Sequence, residues 1–132
     1  MSACALSPVG ETQFGGTALA AALAACQRAV APSRALDSQI ALAVFPALRE
    51  LAVVEEGIWT HADGTRARAL RYSASRTAAT TLVPPGCWIE PDERGAIVAG
   101  AHGEWAGIHE IDAIALCIAA LSAKIAELAH GV

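Results

Sequence analysis

Apolar positions along this chain change period four times, and each change marks a new kind of element. From Ala18 to Ala31 almost every residue is alanine, leucine or another short side chain, a run that predicts a helix capped by Thr17 and stopped by Pro32. The residues before it carry Pro8, Gly10, Gly15 and Gly16 without periodicity, so residues 1–16 are expected to form a loose tail. Ser33 can cap a second helix. Its apolar face is Leu36, Ile40 and Val44 with Ala43 and Ala47, and Pro46 ends or kinks it near Phe45.

After a break at Glu55–Gly57 the period shortens. Ile58 to Leu70 predicts a hairpin around Asp63-Gly64, a dipeptide suited to a two-residue turn with positive φ at both positions. A tight turn would set His61 opposite Arg66, Trp59 opposite Arg68 and Ile58 opposite Ala69. Trp59, His61, Arg66 and Arg68 then share one face, with Arg68 stacked over the indole. Ser73 or Ser75 caps a short helix through Leu82, which Pro84-Pro85-Gly86 ends. Cys87 to Glu90 predicts a strand, Pro91 to Arg94 a turn and Gly95 to Ala101 the returning strand. Gly100, Gly103 and Gly107 predict a flexible connection.

The last helix spans about Glu110 to Ala129, with Asp112 suited to its start and Lys124, His130 and Gly131 to its end. Ile111, Ile114, Leu116, Cys117, Ile118, Leu121, Ile125 and Leu128 cover more than one stripe, so this helix is buried on several sides. The sum is an α+β fold over residues 17–132: one domain, with a small, mainly antiparallel sheet of hairpins and helices packed on it. Its helices hold more apolar surface than one face of two hairpins can accept. A layered αβα sandwich, or a dimer, resolves that mismatch.

Composition sharpens the second option. Hydrophobic residues are 55% of the chain, charged residues 17% and aromatics 5%, so the core is built from small aliphatic side chains. An apolar surplus in a small chain points to a homo-oligomer. The net charge of −4 argues against general nucleic-acid binding. Its distribution is uneven: between Asp63 and Glu90 the only charges are Arg66, Arg68, Arg71 and Arg76. Beyond Trp88, the acids Glu90, Asp92, Glu93, Glu104, Glu110, Asp112 and Glu127 face only Arg94 and Lys124. Either the two halves neutralise each other, within or between subunits, or the arginines form a patch for an anion. Cys4, Cys26, Cys87 and Cys117 show no CxxC spacing, and no basic n-region precedes an apolar run, so reduced thiols and a cytoplasmic location are expected. The uncharged helical run Ala113 to Ala123 falls short of the ~20 residues that span a bilayer.

Four stretches are familiar in combination. They are Leu36-Asp37-Ser-Gln-Ile40-Ala41, Tyr72-Ser-Ala-Ser75, Ala78-Ala79-Thr-Thr-Leu82-Val83-Pro84-Pro-Gly86-Cys-Trp88 and Ala113-Ile-Ala115-Leu116-Cys117-Ile-Ala119-Ala120-Leu121. Together they resemble a family of small uncharacterised phage and prophage proteins of alphaproteobacteria, grouped as a phage αβα-sandwich domain. The resemblance covers roughly residues 33 to 125. Thr77 stands where that family carries an aspartate after its helix start, and the Asp63-Gly64 hairpin looks like an insertion. It implies a fold and a phage-like context, and no reaction.

Three groups of residues carry candidate chemistry. His102, Glu104, His109, Glu110 and Asp112 could bind a divalent metal for a small hydrolase, although His102 and His109 are spaced across a loop rather than on one helix face. Gly100 to Gly107 could cradle a phosphate with backbone N–H groups, but it has no lysine and matches neither phosphate-loop pattern. Trp59, Arg66, Arg68 and Arg76, with Trp88 or Trp105, could hold a base and a phosphate, which would suit sequestration of a host signalling nucleotide. The plainer alternative makes Trp88 a core residue and Trp59–Arg68 a surface pair. No motif asks for a cofactor, and no catalytic constellation is recognisable. The leading expectation is a non-catalytic accessory protein that works by binding a protein or ligand, as an oligomer.

Overall fold

The computed structural model describes residues 7–129, with residues 7–15 as backbone alone. Helix α1 (Ser7–Arg28) leads into α2 (Arg34–Val44) and a 3-10 turn at Pro46–Glu50. Strands β1 (Ala52–Glu55), β2 (Ile58–Thr60) and β3 (Arg66–Arg68) follow, then the short α3 (Arg76–Thr80). Strands β4 (Trp88–Asp92), β5 (Gly95–Gly100) and β6 (Gly103–Ile108) lead into α4 (Asp112–Ala129). The fold is α+β, with its strands in two antiparallel sheets ordered β1-β2-β3 and β4-β5-β6.

Helix α1 begins well before the expected start, so Thr17 lies inside it rather than capping it. Pro8 falls in the first turn, where a missing N–H breaks no hydrogen bond, and each interior glycine costs only about 1 kcal/mol. Of the expected tail, residues 1–6 lie outside the described residues, as do His130 and Gly131 at the other end.

The core sits on α4. Every residue from Ala113 to Leu121 is buried, because the helix packs on β5 and β6 on one side and on α1 and α3 on the other. Small side chains make this possible. A Cβ at Gly107 would run into the carbonyl of Ala115, and one at Gly95 would meet the carbonyl of Gly107. The sheet therefore lies against the helix backbone itself. Cys26 of α1 and Cys117 of α4 meet at the helix interface, both fully buried. Their mutual hydrogen bond and burial push the Cys117 thiol far above its ordinary pKa. Cys117 also donates to the carbonyl of Tyr72 at 3.3 Å.

The first sheet is tied down differently. Ser33 caps α2 by accepting from Leu36 N–H at 3.0 Å. One turn on, Asp37 is buried and accepts from the backbone N–H of Ser73 (2.8 Å), its hydroxyl (2.6 Å) and the Arg34 guanidinium (3.0 Å). Arg34 also donates to the carbonyls of Ala69 (3.0 Å) and Leu70 (3.3 Å), so one ion pair fastens α2 to the end of the first hairpin. Ser73 is thereby used, and Ser75 alone caps α3, accepting from Ala78 N–H at 3.2 Å. That helix stops at Thr80, short of Leu82.

Candidate functional site

The first hairpin closes one residue out of the expected register. Ile58 pairs with Arg68, Trp59 with Ala67 and Thr60 with Arg66. His61 N–H donates to Thr65 at 2.8 Å, leaving Ala62, Asp63 and Gly64 as a three-residue loop in which Gly64 alone has positive φ (92°). Asp63 instead accepts from the Thr65 N–H (2.9 Å) and hydroxyl (2.7 Å), which hold its carboxyl below the ordinary range. A one-residue slip exchanges the faces of a strand. Trp59 is therefore in the core at 2% exposure, while Arg66 and Arg68 point away from it into solvent. No Trp59–Arg68 stack forms.

The remaining candidates also separate. Arg76 pairs with Asp112 at 2.9 Å, both exposed, joining α3 to the start of α4. Trp105 is half-buried against the core from the inner face of β6. The expected flexible connection is in fact the hairpin β5–β6, so Gly100 to Gly107 presents no free loop to a phosphate. Gly107 serves helix packing instead, while Gly100 and Gly103 lie against Cys87 and the Trp105 ring. His102 sits at the tip of that hairpin and His109 beyond the far end of β6. Six residues of strand, about 20 Å, lie between them. His109 Nδ1 accepts from Ile111 N–H at 2.9 Å. Its protonated Nε2 donates to the carbonyl of Ala29 at 2.6 Å. Both ring nitrogens are committed to tying the end of α1 to the start of α4. Among the described residues, no three His, Cys, Asp or Glu side chains gather as a metal site.

What the structure does assemble is the outer face of the second sheet. Register places Trp88, Ala99 and Glu104 in one row, Glu90, Ile97 and Ala106 in the next, and Asp92, Gly95 and Ile108 in the third. The opposite positions, Ile89, Ala96, Val98 and Trp105, pack inward on the core. Trp88 and Ile108 are 52% and 55% exposed, so Trp88 is a surface residue and Trp59 the core one, the reverse of the plainer expectation. Trp88 Nε1 donates to Glu90 Oε2 at 2.9 Å, which fixes the indole on the face instead of leaving it free to rotate.

No family model, curated protein or solved structure matches this chain. The geometry must speak without relatives.

At the bottom of the face the sheet opens into a cleft of about 510 Å³, walled by Asp92, Glu93, Glu110 and Asp112 with Arg94 and Ile108. Asp112 is paired with Arg76, and Asp92, Glu93 and Glu110 against Arg94 still give the cleft a negative potential that favours cationic groups. Across this face Trp88 and Ile108 stand at opposite corners, Ile97 and Ala106 lie between them, and Glu90, Asp92 and Glu104 line the edges. The signal that could have located it was Trp88-x-Glu90-x-Asp92, an alternation that presents one aromatic and two acids on a single face. Among the described residues no helix is long and apolar enough to cross a membrane.

Proposed function

We propose that this chain is a non-catalytic accessory protein, of phage or prophage type and acting in the host cytoplasm, that works by binding through the outer face of its second sheet. The observation that carries this reading is the exposure of Trp88 and Ile108 on a regular sheet face. Large apolar side chains held in ordered positions on a surface mark contact sites. The four stretches that resemble small phage proteins support the context. The committed nitrogens of His109, and its distance from His102, weigh against the hydrolase alternative. The separation of Trp59 from Arg66 and Arg68 weighs against the nucleotide alternative.

Site-specific photo-cross-linking in the producing cell tests the reading. A photoreactive residue at Ile108 should give a discrete protein adduct, and the same residue at Val30, which is 89% exposed, should not. Equal labelling at both positions, or none at Ile108, overturns it. Thermal stabilisation by a nucleotide that is lost in Arg66→Ala would replace it with the nucleotide-sequestering reading.

A further inference from the structure

The occupant of that face can be read from the rest of the molecule. Of the arginines between Asp63 and Glu90, only Arg76 reaches a carboxylate; the ion pairs among the described residues are Arg34–Asp37 and Arg76–Asp112. Among the described residues, the basic and acidic halves of the sequence therefore neutralise each other within one chain only at Arg76–Asp112. Arg66, Arg68 and Arg71 are exposed, and Glu90, Asp92, Glu93 and Glu104 lie on or beside the outer face of the second sheet.

The two sets match in spacing as well as sign. Side chains two residues apart on a strand lie on one face about 7 Å apart. On β3 and the residues that continue it, the outward row is Arg66, Arg68 and Leu70, while Ala67 and Ala69 turn inward. On β4 the outward row is Trp88, Glu90 and Asp92. Laid antiparallel, the rows bring Leu70 to Trp88, Arg68 to Glu90 and Arg66 to Asp92, an apolar contact followed by two opposite-charge contacts. Leu70 is 47% exposed, an apolar side chain beside the arginines. The backbone edge of β4 is poorly suited to pairing with a further strand, because Pro91 has no N–H to give. Contact between side-chain faces is the remaining mode.

We infer that the outer face of the second sheet binds a second copy of this chain, which docks the row Arg66-Arg68-Leu70 against Trp88-Glu90-Asp92. This rests on the reading of that face as the binding surface and names its occupant. Each copy owns both rows, so two copies that exchange contacts form a closed dimer, and copies that do not close form a longer array. The charge contacts weaken with added salt.

Light scattering on the purified chain, with charge-reversed variants, tests the inference. The wild type should exceed the 13.5 kDa of one chain at about 100 μM and low salt. Both R66E/R68E and E90R/D92R should run as monomers with thermal midpoints close to wild type. Mixing the two variants should restore a complex, since each supplies the row that the other has reversed. A monomeric wild type, or association untouched by either reversal, overturns the inference. Misfolding of one variant is read from its melting curve, and Trp88→Ser then serves as the second disruptor, expected to give a folded monomer. If the wild type is monomeric while Ile108 still yields an adduct of a different protein in cells, the self-association fails and the binding face stands. No adduct and no association removes both.

Discussion

The two sheets are alike in strand number and direction and unlike in what holds them. The first, β1-β2-β3, is fastened through Arg34, which reaches the end of the hairpin, and its partner Asp37, a buried carboxylate that also holds Ser73 in the turn before α3. The second, β4-β5-β6, lies directly on α4, close enough that Gly107 admits no side chain. One attachment adds a few directional hydrogen bonds to the burial of Trp59. The other is non-directional and made by close packing. Polar attachments fail when a single partner goes, whereas packed ones fail when volume changes.

Substitutions can separate the two. Asp37→Ala should have the largest effect, about 3 kcal/mol of stability by denaturant titration. It leaves the Arg34 guanidinium without its carboxylate and the Ser73 N–H without its acceptor, and the partial exposure of Arg34 keeps the loss toward the lower end for a broken buried pair. Hydrogen exchange in this variant should rise first in β1–β3 and the Tyr72–Ser75 turn, and later in β4–β6. Gly107→Ala should cost about 2 kcal/mol through overpacking against Ala115, with the order of exposure reversed. Simultaneous loss of protection in both sheets in either variant would show that the sheets open as one unit and that the contrast has no energetic content.

Smaller effects refine the picture. His109→Ala removes two neutral hydrogen bonds at the junction of α1 and α4 and should cost about 1–2 kcal/mol. The acceptor-bearing His109→Asn should recover part of that. Alkali should weaken the α1–α4 junction too. Contact with Cys26 and burial raise the Cys117 thiol, and burial raises the Tyr72 phenol, above their ordinary values of 9.0 and 10.0. Folding therefore favours the protonated groups. Their contribution is complete below those values and is lost as pH rises through the folded pKa. Chemical denaturation between pH 8 and 11 should show falling stability, with a shallower slope in Cys117→Ala.

The helical half of this fold was legible because alanine-rich runs bounded by Ser33, Pro32 and Pro46 leave few alternatives. The buried terminal helix announced itself by apolar residues on every side. The strands were harder, for identifiable reasons. β1 is a short, exposed edge, and Val53-Val54 beside two glutamates reads as a break. β6 was hidden by its glycines, which suggest mobility, whereas Gly107 lets a helix lie against the sheet and Gly103 lies beside the Trp105 ring. The first hairpin was placed correctly and registered wrongly: Asp63 does not take the positive φ that a two-residue Asp-Gly turn requires, so the loop takes a third residue. That single slip moved Trp59 into the core and separated it from Arg66 and Arg68. Asp37 carries a signal of its own, since it lies beside Leu36 and one turn before Ala41 in the buried arc of α2. An acid there must have partners.

Cys26 and Cys117 give the fold a built-in reporter. Two thiols in contact at the α1–α4 interface, both fully buried, cannot meet an alkylating reagent until those helices part. Their modification is a clock for separation of the helices, read peptide by peptide against the half-buried Cys87. Any ligand, partner or second copy that stabilises the folded chain must slow that clock, even when its own contacts lie on the far face of the sheet.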